Sequence, residues 1–288
     1  MGPLSRAWAW LRRNALNIYA GLAIAYMLIP IVVIAVFSFG KTPKGKLTFG
    51  LNDGFTTEYW ANIFKIEQLN DALITSLELA ALATVIATAI GTAMAIALVR
   101  YQFRARRAAN LLIVIPMATP EVVMGASLLS MFLVYSLVLG FTTLLIAHVM
   151  FCISFVVVVV RSRLIGFDRN LEEAAADLGA SPFTTFRTVT FPLLAPGVIA
   201  AAMLAFALSI DDFVISNFNS GATVTFPLYV YGVSLRGIPV QVNAIATLLF
   251  VVAILAAAAV ILQQRRAERM AQAAPEKEPI PVGTAITQ

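Results

Sequence analysis

Long apolar runs alternate with short polar segments along most of the chain. A helix of about 20 apolar residues is the unit expected to cross a bilayer core of roughly 30 Å. The pattern predicts six membrane-spanning helices, at about 17–39, 72–99, 110–139, 141–160, 195–217 and 243–262. We therefore expect an all-α membrane protein with an N-terminal segment over 1–16, a transmembrane domain over 17–262 and a disordered tail over 263–288.

The basic residues divide unevenly between the two sides that these six helices define. Fifteen of the 20 Lys and Arg residues precede the first helix or follow the second, fourth and sixth. The side richer in such residues near the helix ends is ordinarily the cytoplasmic one. Both termini and the polar loop over 161–192 are therefore predicted to be cytoplasmic. The first helix is too long for a signal-peptide core, so we expect it to be retained.

Composition supports the membrane assignment and restricts the chemistry. The chain is 60% hydrophobic and 12% charged, whereas soluble domains are about 45–50% apolar. Its net charge of +5 comes from clusters at helix ends, which are typical topology anchors, so we expect no nucleic-acid partner. The single cysteine, Cys152, lies in an apolar run and is predicted to be a buried core residue.

Small residues and prolines mark two helices for particular packing. The second helix has a small residue at every fourth position, which predicts close approach of another helix. The members of this stripe are Ala83, Ala87, Gly91 and Ala95. The third helix contains Pro116 and Pro120, each of which disturbs the preceding turn. A helix that lines the pathway and a purely architectural kink are both compatible with these prolines.

Four carboxylates lie within or at the edges of the predicted helices, where a charge costs roughly 2.5–3.5 kcal/mol. Glu78 is near an interface and needs no functional role. Glu121 follows a kink and could contact a ligand or form a structural hydrogen bond. In the Asp211-Asp212 pair, one residue could face a pathway while the other caps or contacts a neighbouring helix. His148 is predicted to form an interhelical hydrogen bond.

The loop after the fourth helix predicts two short helices joined by a bend. Residues 171–178 should form the first helix, because Gly179 is a natural left-handed stop. Ser181 can cap the second helix, with Pro182 at its first position. Several alanines keep the surface of this projection low, and Glu173 offers a charge to a basic partner. An ordinary amphipathic interfacial segment is the alternative.

This loop resembles the EAA loop of the membrane subunits of ABC importers. In that family the pattern is Glu-Ala-Ala, three residues, Gly, nine residues, then Ile-x-Leu-Pro, and Val189 and Phe191 depart conservatively from the Ile and Leu. The resemblance implies a coupling helix that docks on an ATPase subunit. It assigns the coupling to Glu173, Ala174, Ala175, Asp177, Gly179 and Pro192.

Further segments resemble the permease subunits of spermidine/putrescine ABC importers. Residues 208–216 are similar to their Leu-Ser-x-Asp-Asp-x-x-x-Ser segment, and 120–125 and 242–247 are similar to two others. Gln241 stands where close members would have an acidic residue. The resemblance implies that Asp211, Asp212 and Glu121 line the substrate pathway, where their negative potential suits a polycation.

The resemblance also implies the fold, the location and the partners. The fold would be the six-helix, type I (MetI-like) permease fold, in the bacterial cytoplasmic membrane. The partners would be an ATPase dimer, a second and non-identical permease subunit, an extracytoplasmic binding protein and the lipid bilayer. The chain itself would be a transport subunit without enzymatic activity or cofactor, since ATP and Mg²⁺ would bind the ATPase.

Three alternatives remain open from the residues themselves. The substrate of an ABC importer could instead be an iron carrier, an amino-acid derivative or a vitamin. A proton-coupled secondary transporter could use the same carboxylates without any ATPase. An intramembrane enzyme is disfavoured, because the chain has no HExxH, no GxSxG and no second histidine. Gly40-Lys41-Thr42 ends like a phosphate-binding loop, but Ala35 replaces its required first glycine.

Overall fold

The computed structural model describes residues 3–41, 54–235 and 237–273. Within them the chain is almost wholly helical, with one isolated β-bridge between Gly40 and Phe55. A π-helical turn occupies Phe186–Thr190. The helices are α1 Pro3–Phe37, α2 Glu58–Ala61, α3 Glu67–Arg100, α4 Arg106–Ala118, α5 Glu121–Val134, α6 Phe141–Ile165, α7 Asn170–Asp177, α8 Pro182–Thr185, α9 Phe191–Ile210, α10 Val214–Asn219, α11 Phe226–Ser234 and α12 Val240–Ala273.

The chain divides into two units. One is Ala35–Ala244, and the other combines Met1–Ile34 with Ile245–Gln288. The second unit contains most of the apolar runs of α1 and α12, whose described side chains are largely exposed. Long exposed apolar helices are what a hydrocarbon solvent or a further subunit would cover.

The core of the Ala35–Ala244 unit lies where α3, α6 and α9 pack together. The predicted stripe of small residues on α3 is fully buried there. A Cβ atom added to Gly91 would lie 2.6 Å from Cγ1 of Val156 on α6. That distance leaves no room for even a methyl group, so the predicted close approach of a second helix is confirmed.

The predicted third span, 110–139, is not one helix. α4 and α5 meet at a bend of 114°. Thr119, the residue before Pro120, has an extended backbone with ψ 132°, because the proline ring disfavours the helical conformation there. Pro116 lies inside α4 without ending it. The bend is therefore much larger than a proline kink within a continuous span.

The bent pair nevertheless carries the chain across the bundle once. The C-terminal end of α3 lies beside the segment that follows α6, because Arg100 contacts the Phe167 ring and forms an ion pair with Glu172. α4 begins at this same end, where Arg161 donates a 2.9 Å hydrogen bond to Asn110. α6 has 25 residues and begins about 37 Å away from its C-terminal end. α4, α5 and the residues up to Gly140 together return the chain to the start of α6. If the bent pair is counted as one span, the described helices that are long and apolar enough to cross a membrane give six spans.

The predicted fifth span, 195–217, is displaced and interrupted. A continuous helical run extends from Pro182 to Ile210 and includes Pro192. The π-helical turn precedes this proline and shifts the hydrogen-bond pattern by one residue, with the amide of Phe191 donating to the carbonyl of Phe186. The run ends at Ile210, and α10 starts only at Val214.

The terminal boundaries also differ from those predicted. α1 begins at Pro3, within the segment predicted to precede the first span. α12 continues to Ala273, beyond the predicted boundary at residue 262. The rest of the predicted tail lies outside the described residues.

Candidate functional site

The loop between α6 and α9 adopts the bent form predicted from its sequence. α7 ends just before Gly179, which has a φ of +84°. The amides of Gly179 and Ala180 close the helix by donating to the carbonyls of Ala176 and Ala175, at 2.8 and 3.0 Å. A Cβ on Gly179 would meet no atom within 4 Å, so the backbone conformation alone requires glycine here.

The second arm of the bend begins with the predicted cap. The hydroxyl of Ser181 accepts a 3.3 Å hydrogen bond from the amide of Thr184. Pro182 occupies the first helical position, where the absence of an N–H has no cost. Gly179 ends α7, and Ser181 starts a helical run that continues through α8 into α9, so α7 and the start of this run form one bent projection.

Of the six predicted coupling residues, Pro192 lies near the start of α9, and the others lie on α7 or at Gly179. Five of the six are exposed, and Ala175 is half-buried. Two apolar side chains that sequence reasoning did not single out accompany them: Leu178 is 89% exposed and Phe183 is 72% exposed. Large apolar side chains at the bend of a polar loop are typical of a contact surface. Their apolar character within a polar segment is the signal that could have identified them.

Glu172, the neighbour of Glu173, faces inward and joins three elements. Its carboxylate accepts hydrogen bonds from both terminal nitrogens of Arg100, at the end of α3. The distance between Nη2 and Oε1 is 2.7 Å. The Thr190 hydroxyl, in the π-helical turn before α9, donates to the same carboxylate. The Arg100 guanidinium also lies 5.5 Å above the centre of the Phe167 ring. Sequence reasoning missed Glu172, although adjacent glutamates on a short helix must project in different directions.

The environment of Glu172 stabilises its ionised form. Burial alone would raise the pKa of this carboxyl, but hydrogen bonds from Arg100 and Thr190 outweigh burial and hold the pKa below its ordinary value of 4.5. The positive charges of Arg100 and Arg169 act in the same direction. The group is thus a fixed negative charge at neutral pH.

A second polar cluster occupies the break between α9 and α10. Asp212 is only 8% exposed and accepts hydrogen bonds from the amides of Ile215 and Ser216, at 3.3 and 2.8 Å. The Ser216 hydroxyl donates a third, at 3.0 Å. A side chain that takes over backbone donors in this way competes with the helix. Because both amides belong to the first turn of α10, the Asp212 side chain stabilises the point at which the helix resumes after the break.

His148 of α6 lies beside Asp212 and links the helices around the break. Its Nδ1 lies 2.7 Å from the hydroxyl of Ser209, and its Nε2 lies 3.0 Å from the hydroxyl of Ser216. The Nε2 atom is also 3.5 Å from the carboxylate of Asp212. The side chain is 1% exposed, so the predicted interhelical role of this histidine is confirmed. Cys152, one turn further along α6, is fully buried as predicted.

The three carboxylates predicted to line a pathway do not share one environment. Asp211 and Glu121 are exposed. Asp212 points the other way, into the buried cluster. Among the residues that the structure describes, neither Asp211 nor Glu121 has an ion pair with Lys or Arg. The three predicted residues are therefore divided into two exposed carboxylates and one buried carboxylate.

Comparison with known proteins places this architecture in a family. Residues 87–270 match the family described as binding-protein-dependent transport system inner membrane component. The chain is 41% identical over 233 residues to the spermidine/putrescine transport system permease protein PotC of Escherichia coli (strain K12), which covers 80% of this chain and 86% of that protein. It is 34% identical over 256 residues to the putrescine transport system permease protein PotI of the same organism, covering 86% and 90%.

Solved structures share the fold. A bacterial ABC transporter involved in the import of the acidic polysaccharide alginate matches with a TM-score of 0.66 at 17% identity, over 91% of this chain and 99% of that one. The MetNI methionine ABC transporter matches with a TM-score of 0.55 at 16% identity, over 71% and 98%. The multi-pass chain described above belongs to the family of binding-protein-dependent transport system inner membrane components.

Proposed function

We propose that this chain is a permease subunit forming half of the translocation pathway of an ATP-driven polyamine importer. The observation that carries the proposal is its 41% identity, over 80% of its length, to a spermidine/putrescine permease. Its partners would be an ATPase dimer, a second and non-identical permease subunit and an extracytoplasmic binding protein. ATP and Mg²⁺ would bind the ATPase dimer, and this chain would bind no cofactor.

In the proposed orientation both termini and the 161–192 loop face the cytoplasm of a bacterial cell. The excess of basic residues on that side supports it. The ion pair between Arg100 and Glu172 adds support, because it joins the loop to a helix end that is followed by further arginines.

The projection around Gly179 would be the surface that docks on the ATPase. Leu178 and Phe183 can enter an apolar cleft, while the exposed Glu173 can pair with a basic residue at its rim. Apolar anchors surrounded by a polar rim are the usual anatomy of a specific interface. The small alanine side chains between them would permit close approach of the ATPase.

The exposed pair of Asp211 and Glu121 would contact the substrate. Two carboxylates without a cationic partner among the described residues create a negative potential that a low-dielectric surrounding strengthens. A protonated polyamine supplies charges of the opposite sign at more than one point. Asp212 would act indirectly, because its hydrogen bonds stabilise the break at which Asp211 is exposed.

Reconstitution of the native complex tests the proposal. The complex would be purified from its own membrane with the associated subunits and sealed in vesicles containing ATP. Labelled spermidine and putrescine should accumulate when the co-purified binding protein is outside, and an unlabelled amino acid should not compete. Accumulation that needs a proton gradient but no ATP would instead favour a secondary transporter.

The docking surface is tested separately by co-purification. Glu173→Arg and Gly179→Pro should each remove the ATPase from the purified complex, the first by reversing a charge and the second by excluding the positive φ. Phe39→Leu, on the opposite side of the predicted membrane, is the matched control and should retain the ATPase. Retention of the ATPase by both loop variants would contradict the proposed coupling role.

A further inference from the structure

We propose that Glu172 is the positioning residue through which the docking loop moves the membrane helices. This inference rests on the proposed function, since it assigns the path by which an event at the ATPase reaches the transport pathway. Glu172 would not touch the ATPase. It would instead hold the loop to α3 through Arg100 and to α9 through Thr190.

The contacts of Glu172 connect parts of the chain that are remote in sequence. Arg100 is 72 positions away and Thr190 is 18 positions away. Both donate to one carboxylate, and the arginine does so through two nitrogens. A bidentate, charge-assisted contact has a defined geometry as well as a favourable energy. Displacement of α7 would therefore change the position of both donors together.

The surroundings favour transmission through this carboxylate. The side chains of Arg100 and Glu172 are each 18% exposed, so water screens the pair less than it screens a surface ion pair. Apart from this contact, α7 packs chiefly against α8 and the π-helical turn. The ion pair is thus the main described connection between α7 and the long helix α3.

The two helices held by Glu172 lead to the candidate pathway. α9 ends at Ile210, directly before Asp211. α3 packs against both α9 and α6, and α6 contributes His148 to the polar cluster at the break. A force on the exposed face of α7 would consequently reach the segment that presents Asp211.

The adjacent residues Glu172 and Glu173 of α7 would have different roles in coupling. Successive side chains on a helix project about 100° apart, so Glu173 faces outward while Glu172 faces α3. Loss of Glu173 should then weaken docking, whereas loss of Glu172 should leave docking intact and weaken its effect on transport.

The test compares Glu172→Gln with Glu173→Arg in the reconstituted complex, using whichever solute the wild type accumulates. For Glu172→Gln we expect normal ATPase content and continued ATP hydrolysis, but about tenfold less solute accumulated per ATP, a typical size for coupling between sites. Wild-type accumulation per ATP would overturn the inference. Loss of the ATPase from this variant would also overturn it, since Glu172 would then belong to the docking contact.

A charge exchange separates coupling from mere stability. Arg100→Glu combined with Glu172→Arg restores an ion pair between α3 and α7 and should recover part of the accumulation per ATP, whereas either change alone should not. If the Glu172→Gln chain itself does not fold, Thr190→Val provides the test, because it leaves the ion pair in place. Unchanged accumulation per ATP in Thr190→Val would then overturn the inference. Failure of the proposed function would give a different result. In that case the Glu173→Arg complex would retain both its ATPase and its transport activity.

Discussion

Two pairs of adjacent carboxylates lie in different regions of the molecule and share one arrangement. In the loop, Glu172 is bound within the chain while Glu173 is exposed. At the break after α9, Asp212 is bound within the chain while Asp211 is exposed. The pairs differ in what binds the inner member. Glu172 has the charged guanidinium of Arg100, whereas Asp212 has backbone amides, a serine hydroxyl and His148.

The difference follows from the surroundings of each pair. Near the basic end of the bundle, a long arginine side chain can reach a carboxylate while remaining partly in contact with water. Inside an apolar bundle an arginine would be costly, so oriented amides and hydroxyls stabilise the carboxylate instead. In both places the inner carboxylate fixes the local structure, which leaves the outer one available for a ligand or a partner.

The largest effect is expected at the inner residue of the break. Asp212→Ala leaves two backbone amides and a hydroxyl without their acceptor, so the free energy of unfolding should fall by about 3 kcal/mol. Denaturant unfolding of the purified protein in mixed micelles measures this. Asp211→Ala is the matched control and should change stability by less than about 0.5 kcal/mol. An equal fall in the free energy of unfolding in both variants would show that the two aspartates do not differ in their structural role.

The next effect concerns the outer residue of the loop. Glu173→Arg should weaken binding of the ATPase by about 2 kcal/mol, because the reversed charge would face a basic partner. The binding constant of the isolated ATPase for reconstituted permease measures it. Glu173→Gln should cost less than the reversal. A reversal no worse than Glu173→Gln would mean that no charged partner faces this position.

A smaller effect is expected at the outer residue of the break. Asp211→Asn removes one charge and should lower the affinity of the pathway for a polyamine by about 1 kcal/mol, the size of one unscreened contact between charges in water. The concentration dependence of spermidine uptake measures it. Glu121→Gln should act in the same direction, and normal saturation in both variants would exclude these residues from the substrate contact.

The smallest effect is the pH dependence of the inner residue of the loop. The pKa of Glu172 is lowered in the folded protein, so its contribution to stability is present above the ordinary value of 4.5 and is lost as pH falls through the lowered pKa. The stability difference between wild type and Glu172→Gln should thus be constant near neutral pH and shrink in acid. When Arg100→Met is present in both proteins, the stability difference due to Glu172→Gln should depend much less on pH.

Sequence alone predicted the elements whose causes are local. The apolar runs predicted the long helices, and Gly179 with Ser181 predicted the bent loop. The stripe of small residues on α3 predicted close contact with another helix, although it could not identify the partner residue Val156. These features depend on residues within a few turns of one another.

The features that sequence did not predict depend on distant partners. Pro120 indicated a disturbance, but the bend of 114° also reflects the packing of α5 against α10, where the carbonyl of Gly125 accepts a hydrogen bond from Asn219. The break after Ile210 lies beside the cluster around His148, which is 61 positions from its partner Ser209. The choice between Glu172 and Glu173 as the inward residue is made by Arg100, which lies 72 positions away.

The contact between Gly91 and Val156 has a consequence for conformational change. Side-chain and backbone atoms of α6 fill the space beside this glycine, so α3 and α6 can slide past one another only by lifting Val156 over the opposing helix. The two should travel as a rigid pair. Any rearrangement during a transport cycle should then be concentrated at the interruptions near Thr119 and Asp211, where the regular helical hydrogen bonds are already missing.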